Sequence, residues 1–93
     1  MKYKFDYSLE KDLILKESRG VSFREVIQAY RTGKKLADYE NKSKKHPNQR
    51  LLIVNIKGYA YVTPYVIDEK RKRVFLKTVY PSSKLTKEYI KKL

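Results

Sequence analysis

Lys77, Lys84 and His46 are the side chains of this 93-residue sequence best suited to moving protons or stabilising developing charge. Lysines crowded by other cations exchange protons more readily, and Lys77 and Lys84 stand at and just beyond the end of the last expected strand. Histidine as a residue type titrates near neutrality, so His46, framed by Lys42, Lys44, Lys45 and Arg50, could serve as a general acid or base. A lone loop histidine is more commonly just a solvated side chain. Without a metal, such groups could support RNA cleavage in which the ribose 2′-hydroxyl attacks the neighbouring phosphate and Lys and Arg stabilise the charge that forms.

Other chemistries lack their residues. The sequence contains no G-x-x-x-x-G-K-[ST] loop, no HExxH and no nucleophile elbow, and its three glycines are isolated. Having no cysteine excludes disulfides, iron–sulfur clusters and thiolate zinc sites. Residues 41–93 hold only three acidic groups, Asp68, Glu69 and Glu88, which argues against a paired-carboxylate or metal-ion nuclease. No cofactor and no metal are expected.

Charge is unevenly placed. Residues 1–40 hold 9 basic and 7 acidic groups, whereas residues 41–93 hold 14 basic and 3 acidic, so almost all of the +13 net charge lies in the second part. This marks residues 41–93 as the electrostatic footprint for a polyanion, foremost RNA, and the first forty as scaffold. High charge that merely keeps a small protein soluble would not need to be segregated in this way. The start, MKYKFDYSLEKD, has no apolar stretch, and the longest aliphatic run is Leu51-Leu52-Ile53-Val54, far short of the ~20 residues a membrane span needs. A soluble, cytoplasmic protein with no membrane partner is expected, folding as one domain over 1–93.

The elements that must position these groups follow from periodicity. Alternation over 3–7 predicts a short strand. Ser8 can cap a helix of about ten residues with Leu9, Leu13 and Ile14 near one face, broken by Arg19-Gly20. Ser22 and Glu25 have capping-box spacing, and Phe23, Val26, Ile27 and Tyr30 give the second helix one buried face, ended by Gly33. Leu36–Glu40 reads as a short edge strand and Asn41–Arg50 as a surface loop. Leu51–Lys57 and Tyr59–Ile67 form a hairpin about Gly58, Asp68–Lys72 is a charged turn, and Arg73–Tyr80 is a last strand. Pro81-Ser82-Ser83 leads into a helix with Leu85, Tyr89, Ile90 and Leu93 on one side. The expected fold is α+β, an antiparallel four- to five-stranded sheet with two N-terminal helices on one face and a short C-terminal helix.

Strand alternation sets Ala60, Val62 and Val66 against Tyr59, Tyr61, Thr63 and Tyr65, and Val74, Leu76 and Thr78 against Arg73, Phe75 and Lys77. If the aliphatic faces pack on the helices, the open face displays tyrosines beside cations. Bases could then stack on Tyr61 and Tyr65 while Arg50 and Arg73 meet phosphates. The bland alternative is that tyrosine simply favours strands. Pro64 should place its missing N–H at a bulge or unpaired position.

Several segments resemble the BrnT family of bacterial toxins, a branch of the RelE/ParE-type fold. These are the opening YKFD, the RGVSFREV turn into the second helix, the hairpin LLIVNIKGYAYVTPYV, and the terminal FLKTVYPSSKLTKEY. The resemblance spans nearly the whole chain. It implies the toxin of a type II toxin–antitoxin pair, a metal-independent endoribonuclease (mRNA interferase) that cleaves mRNA, free or on the ribosome, and arrests translation. The implied partner is a cognate antitoxin with a DNA-binding domain. On this reading Lys77 and Lys84 act on the transition state, Lys87 joins Arg50 and Arg73 on phosphates, and Tyr61 and Tyr65 hold bases. The basic residue before the Gly-Val-Ser-Phe turn, often histidine in the family, is Arg19 here. Where the family tends to carry an Arg-Lys pair, this chain has Ser83-Lys84, so Lys84 alone inherits that role. A non-catalytic RNA- or DNA-binding module would account for the charge and the tyrosines equally well.

Overall fold

A computed structural model describes residues 3–91; Leu93, expected on one side of the last helix with Leu85, Tyr89 and Ile90, lies outside them. Strand β1 (Lys4–Asp6) leads into helices α1 (Leu9–Arg19) and α2 (Phe23–Arg31). Strands β2 (Lys35–Glu40), β3 (Arg50–Ile56), β4 (Tyr59–Asp68), β5 (Arg73–Leu76) and β6 (Tyr80–Pro81) follow, then helix α3 (Ser83–Tyr89). The α+β class is as expected.

Local signals set the helix ends. The Ser8 hydroxyl accepts from the Lys11 N–H at 3.2 Å, and Gly20, at φ 66°, closes α1 in the left-handed conformation. Ser22 Oγ accepts from the Glu25 N–H at 3.2 Å while Glu25 Oε1 accepts from the Ser22 N–H at 3.1 Å, a complete capping box. Helix α2 buries Phe23, Val26 and Ala29, with Ile27 and Tyr30 half-buried beside them. In α1 the face carrying Leu9, Leu13 and Ile14 is turned to solvent; Leu15 and Asp12 are the buried positions.

The sheet runs β1-β5-β4-β3-β2, with β6 pairing β4 beyond the end of β5. It is mixed rather than wholly antiparallel, because β1 lies parallel to β5 with Phe5 opposite Val74. The single last strand expected over Arg73–Tyr80 is broken in two. A strand residue points its N–H and C=O toward the same neighbour. The Pro64 carbonyl accepts from the Lys77 N–H at 2.8 Å, so the missing Pro64 N–H falls where the chain leaves the ladder between β5 and β6. Val79, in the gap, is fully buried.

The sidedness expected for β4 is reversed. Tyr65, with Leu52, Val54, Val74 and Leu76, belongs to the core beneath α1 and α2, and Tyr61 packs against that core. The aliphatic set Ile53, Ala60 and Val62 lies on the opposite face, covered by Leu85 and Ile90 near α3. Both faces of the central strands are therefore covered, which is why β3 reads as the unbroken run Leu51–Val54. A buried tyrosine contributes a large apolar ring and needs only one polar partner for its hydroxyl.

Candidate nucleic-acid interface

Strand directions decide where the cations gather. β2 ends and β3 begins at the 41–49 loop, and β4, antiparallel to β3, ends at the 69–72 turn, so both connections lie at the same end of the sheet. Lys42, Lys44, Lys45, Lys70, Arg71 and Lys72 are all exposed there, only about two strand spacings apart, ~10 Å. Three acids temper this end, the first being Glu40, exposed at the end of β2 opposite Arg50. Asp68 lies 3.9 Å from Arg71, and Glu69 accepts from the Tyr3 hydroxyl at 2.6 Å while Lys72 sits 5.5 Å from the Tyr3 ring centroid.

Arg50, at the base of the 41–49 loop, is tied into a three-strand cluster. Its Nε donates to Asp38 Oδ1 at 3.2 Å and to the Tyr65 hydroxyl at 3.1 Å, and its Nη2 donates to the Asp38 carbonyl at 3.2 Å. The Tyr65 hydroxyl donates to the Asp38 carboxylate at 2.7 Å. Burial first, then the Asp38 hydrogen bond, pushes the Tyr65 phenol up to about 12, against the opposing pull of the Arg50 guanidinium. Tyr65 is 1% exposed, so the stacking role expected of it is overturned: its ring has no free face. Tyr61 is half-buried on the same side, its ring 6.0 Å from that of Tyr59. Asp38, absent from the sequence reading, is the acid that organises this cluster.

The other expected site residues are spread along the sheet. His46 is exposed in the 41–49 loop, where its backbone N–H donates to the Ser43 carbonyl at 3.2 Å. Arg73 opens β5, half-buried, opposite Lys4 and Asp68. Lys77 is exposed with its ammonium 5.1 Å from the Phe75 ring centroid. Lys84 and Lys87 are exposed on α3, whose start is held to β4 by the Ser82 N–H on the Ala60 carbonyl at 3.0 Å. Lys77 is anchored at Pro64 and Lys84 near Ala60, four strand residues or ~13 Å apart along β4, and His46 lies beyond Arg50. The structure does not bring His46, Lys77 and Lys84 together. Arg19 donates to the Val79 carbonyl at 2.7 Å and pins α1 to the gap between β5 and β6.

Two further features were not foreseen from the sequence. Arg24, Lys34 and Lys57 rim an open groove of about 430 Å³ between α2 and the far end of β3, so the first forty residues are not electrostatically silent. On the face covered by α3, Tyr39 and Tyr80 are exposed. Nothing in the spacing of either residue announces this, since each takes its orientation from strand register. Among the described residues no group of three His, Cys, Asp or Glu side chains could hold a metal ion, and no helix is long and apolar enough to cross a membrane. Comparison with family models, with curated proteins and with solved structures finds no match to this chain.

Proposed function

We propose that the protein binds RNA with the end of the sheet that carries the 41–49 loop and the 69–72 turn. One observation carries the reading: two connections separate in sequence, each holding three exposed cations, are set at one end of one sheet by strand direction. Cations gathered in this way raise the local potential and release counterions when phosphates replace them. The test is titration of single-stranded RNA at several salt concentrations. Binding that weakens steeply with salt is expected; affinity that is absent at low salt would end the proposal.

A second reading adds a chemical step on the same RNA. The resemblance to BrnT-like toxins supports metal-independent endonucleolytic cleavage of mRNA, restrained by a cognate antitoxin. The order of elements and the exposure of Lys77 and Lys84 are compatible with it. With His46 remote, such chemistry would rest on the two lysines. Expression should then arrest growth, and RNA should be cut in the presence of EDTA. Losing a lysine that stabilises the transition state, as in Lys84→Ala, should slow cutting by about a hundredfold. Growth without arrest and an intact RNA pool would leave the non-catalytic binder.

A further inference from the structure

We propose that Tyr39 and Tyr80 form a platform on which unpaired bases stack, so that the RNA this protein takes up is single-stranded. The proposal rests on the RNA-binding reading above and deepens it.

The platform is built by register. Tyr39 pairs with Leu51, Leu51 pairs with Pro64, and the Pro64 carbonyl accepts from the Lys77 N–H. Paired residues share a face, so one row runs Tyr39, Leu51, Pro64, Lys77 across the sheet, on the side that α3 partly covers. Tyr80 pairs with Val62 and joins this side from β6, while Tyr89 ends α3. The Tyr39 phenol is raised, by burial first and then by Tyr89, Glu88 and Tyr80, which places those groups within electrostatic reach of it. Tyr39 is nevertheless 37% exposed and Tyr80 38%, large rings kept at the surface beside their apolar register partners Leu51 and Val62.

Charge complementarity selects the occupant. An open groove of about 770 Å³, lined by Asp38, Tyr39, Glu40, Lys42, Arg50 and Leu51, connects this row to the basic end of the sheet. Phosphates can follow Lys42 at one side and Lys77 at the other. Glu88, within electrostatic reach of Tyr39, repels phosphate and can accept from the amino groups of base edges. Bases already stacked in an A-form duplex offer no free face to a tyrosine, whereas every unpaired base does.

The test measures binding by fluorescence anisotropy with three probes of equal length: oligoadenylate, its duplex with oligouridylate, and an abasic sugar–phosphate strand. The wild-type protein should prefer oligoadenylate to both others. Tyr39→Ala/Tyr80→Ala should weaken oligoadenylate binding roughly ten- to hundredfold and leave the abasic strand unchanged. Tyr39→Phe/Tyr80→Phe, which keeps the rings, should bind as wild type. An alanine pair that binds oligoadenylate normally, or loses all three probes alike, overturns the platform while leaving the basic end in place. So does a wild-type dimer that the alanine pair dissolves, because the rings would then face a second copy. If wild type binds no probe, the RNA reading and the platform fall together.

Discussion

The hydroxyl of Tyr65 on β4 donates to the carboxylate of Asp38 on β2 at 2.7 Å, reaching past β3, whose Arg50 donates to both partners. One buried ring thus ties three strands together at the base of the basic loop. Because the folded-state phenol is pushed up to about 12 from an ordinary value of about 10, the folded state holds that proton more tightly than the unfolded chain does. The associated stability is fully present below pH 10 and is lost as pH rises from about 10 to about 12, on the order of 2–3 kcal/mol. Denaturant midpoints across that window should fall more steeply for wild type than for Tyr65→Phe. Parallel curves would show that the cluster does not hold the proton.

Asp12 links the two N-terminal helices. Its carboxylate accepts from the Phe23 N–H at 2.8 Å, capping α2 from outside, and it lies 3.2 Å from Lys16. Asp12→Ala should destabilise the fold by about 1–3 kcal/mol, because a buried N–H is left without an acceptor. Asp12→Asn keeps an oxygen in place and should cost much less, since the exposed Lys16 contributes little. Equal losses in the two variants would shift the weight onto the ion pair.

These two residues mark what could be read in advance. Capping signals are local, so Ser8, Ser22, Glu25 and Gly20 revealed both N-terminal helices. Helix packing is not local. Asp12 looked like one more surface acid in α1, and only the approach of α2 gives it a role. The tyrosines show the same limit more sharply. Alternation fixed which β4 residues share a face, but with aliphatic β3 residues on both sides it could not say which face the paired helices cover. Tyr65 is consequently inside, and the exposed rings are Tyr39 and Tyr80, whose positions depend on edge-strand register and on the gap after Leu76. The gathering of two cationic connections at one end of the sheet follows from strand direction alone.

Thr63 is fully buried at the centre of β4, and its hydroxyl is the one buried side-chain polar atom without a hydrogen-bond partner among the described residues. Burying an unpaired hydroxyl is unfavourable, whereas an apolar group of the same shape in that place is not. Thr63→Val should raise the denaturant midpoint, by about 1 kcal/mol of stability, with no change in RNA affinity. A lower midpoint would mean that the hydroxyl is satisfied in solution.

Position, rather than total charge, should govern binding. Lys70, Arg71 and Lys72 lie in the turn at the basic end, whereas Arg24, Arg31 and Lys34 lie on and after α2, and all six are exposed. Replacing either trio with glutamine removes the same three charges. If the turn residues each meet a phosphate, their loss should flatten the dependence of log K on log salt by about 2, from ~0.7 per single-strand phosphate contact. The α2 trio should change the slope far less, since its cations act on the strand only through a screened field that fades over about 10 Å. Equal effects from the two triple variants would mean that RNA senses the net charge of the molecule and not the end of the sheet.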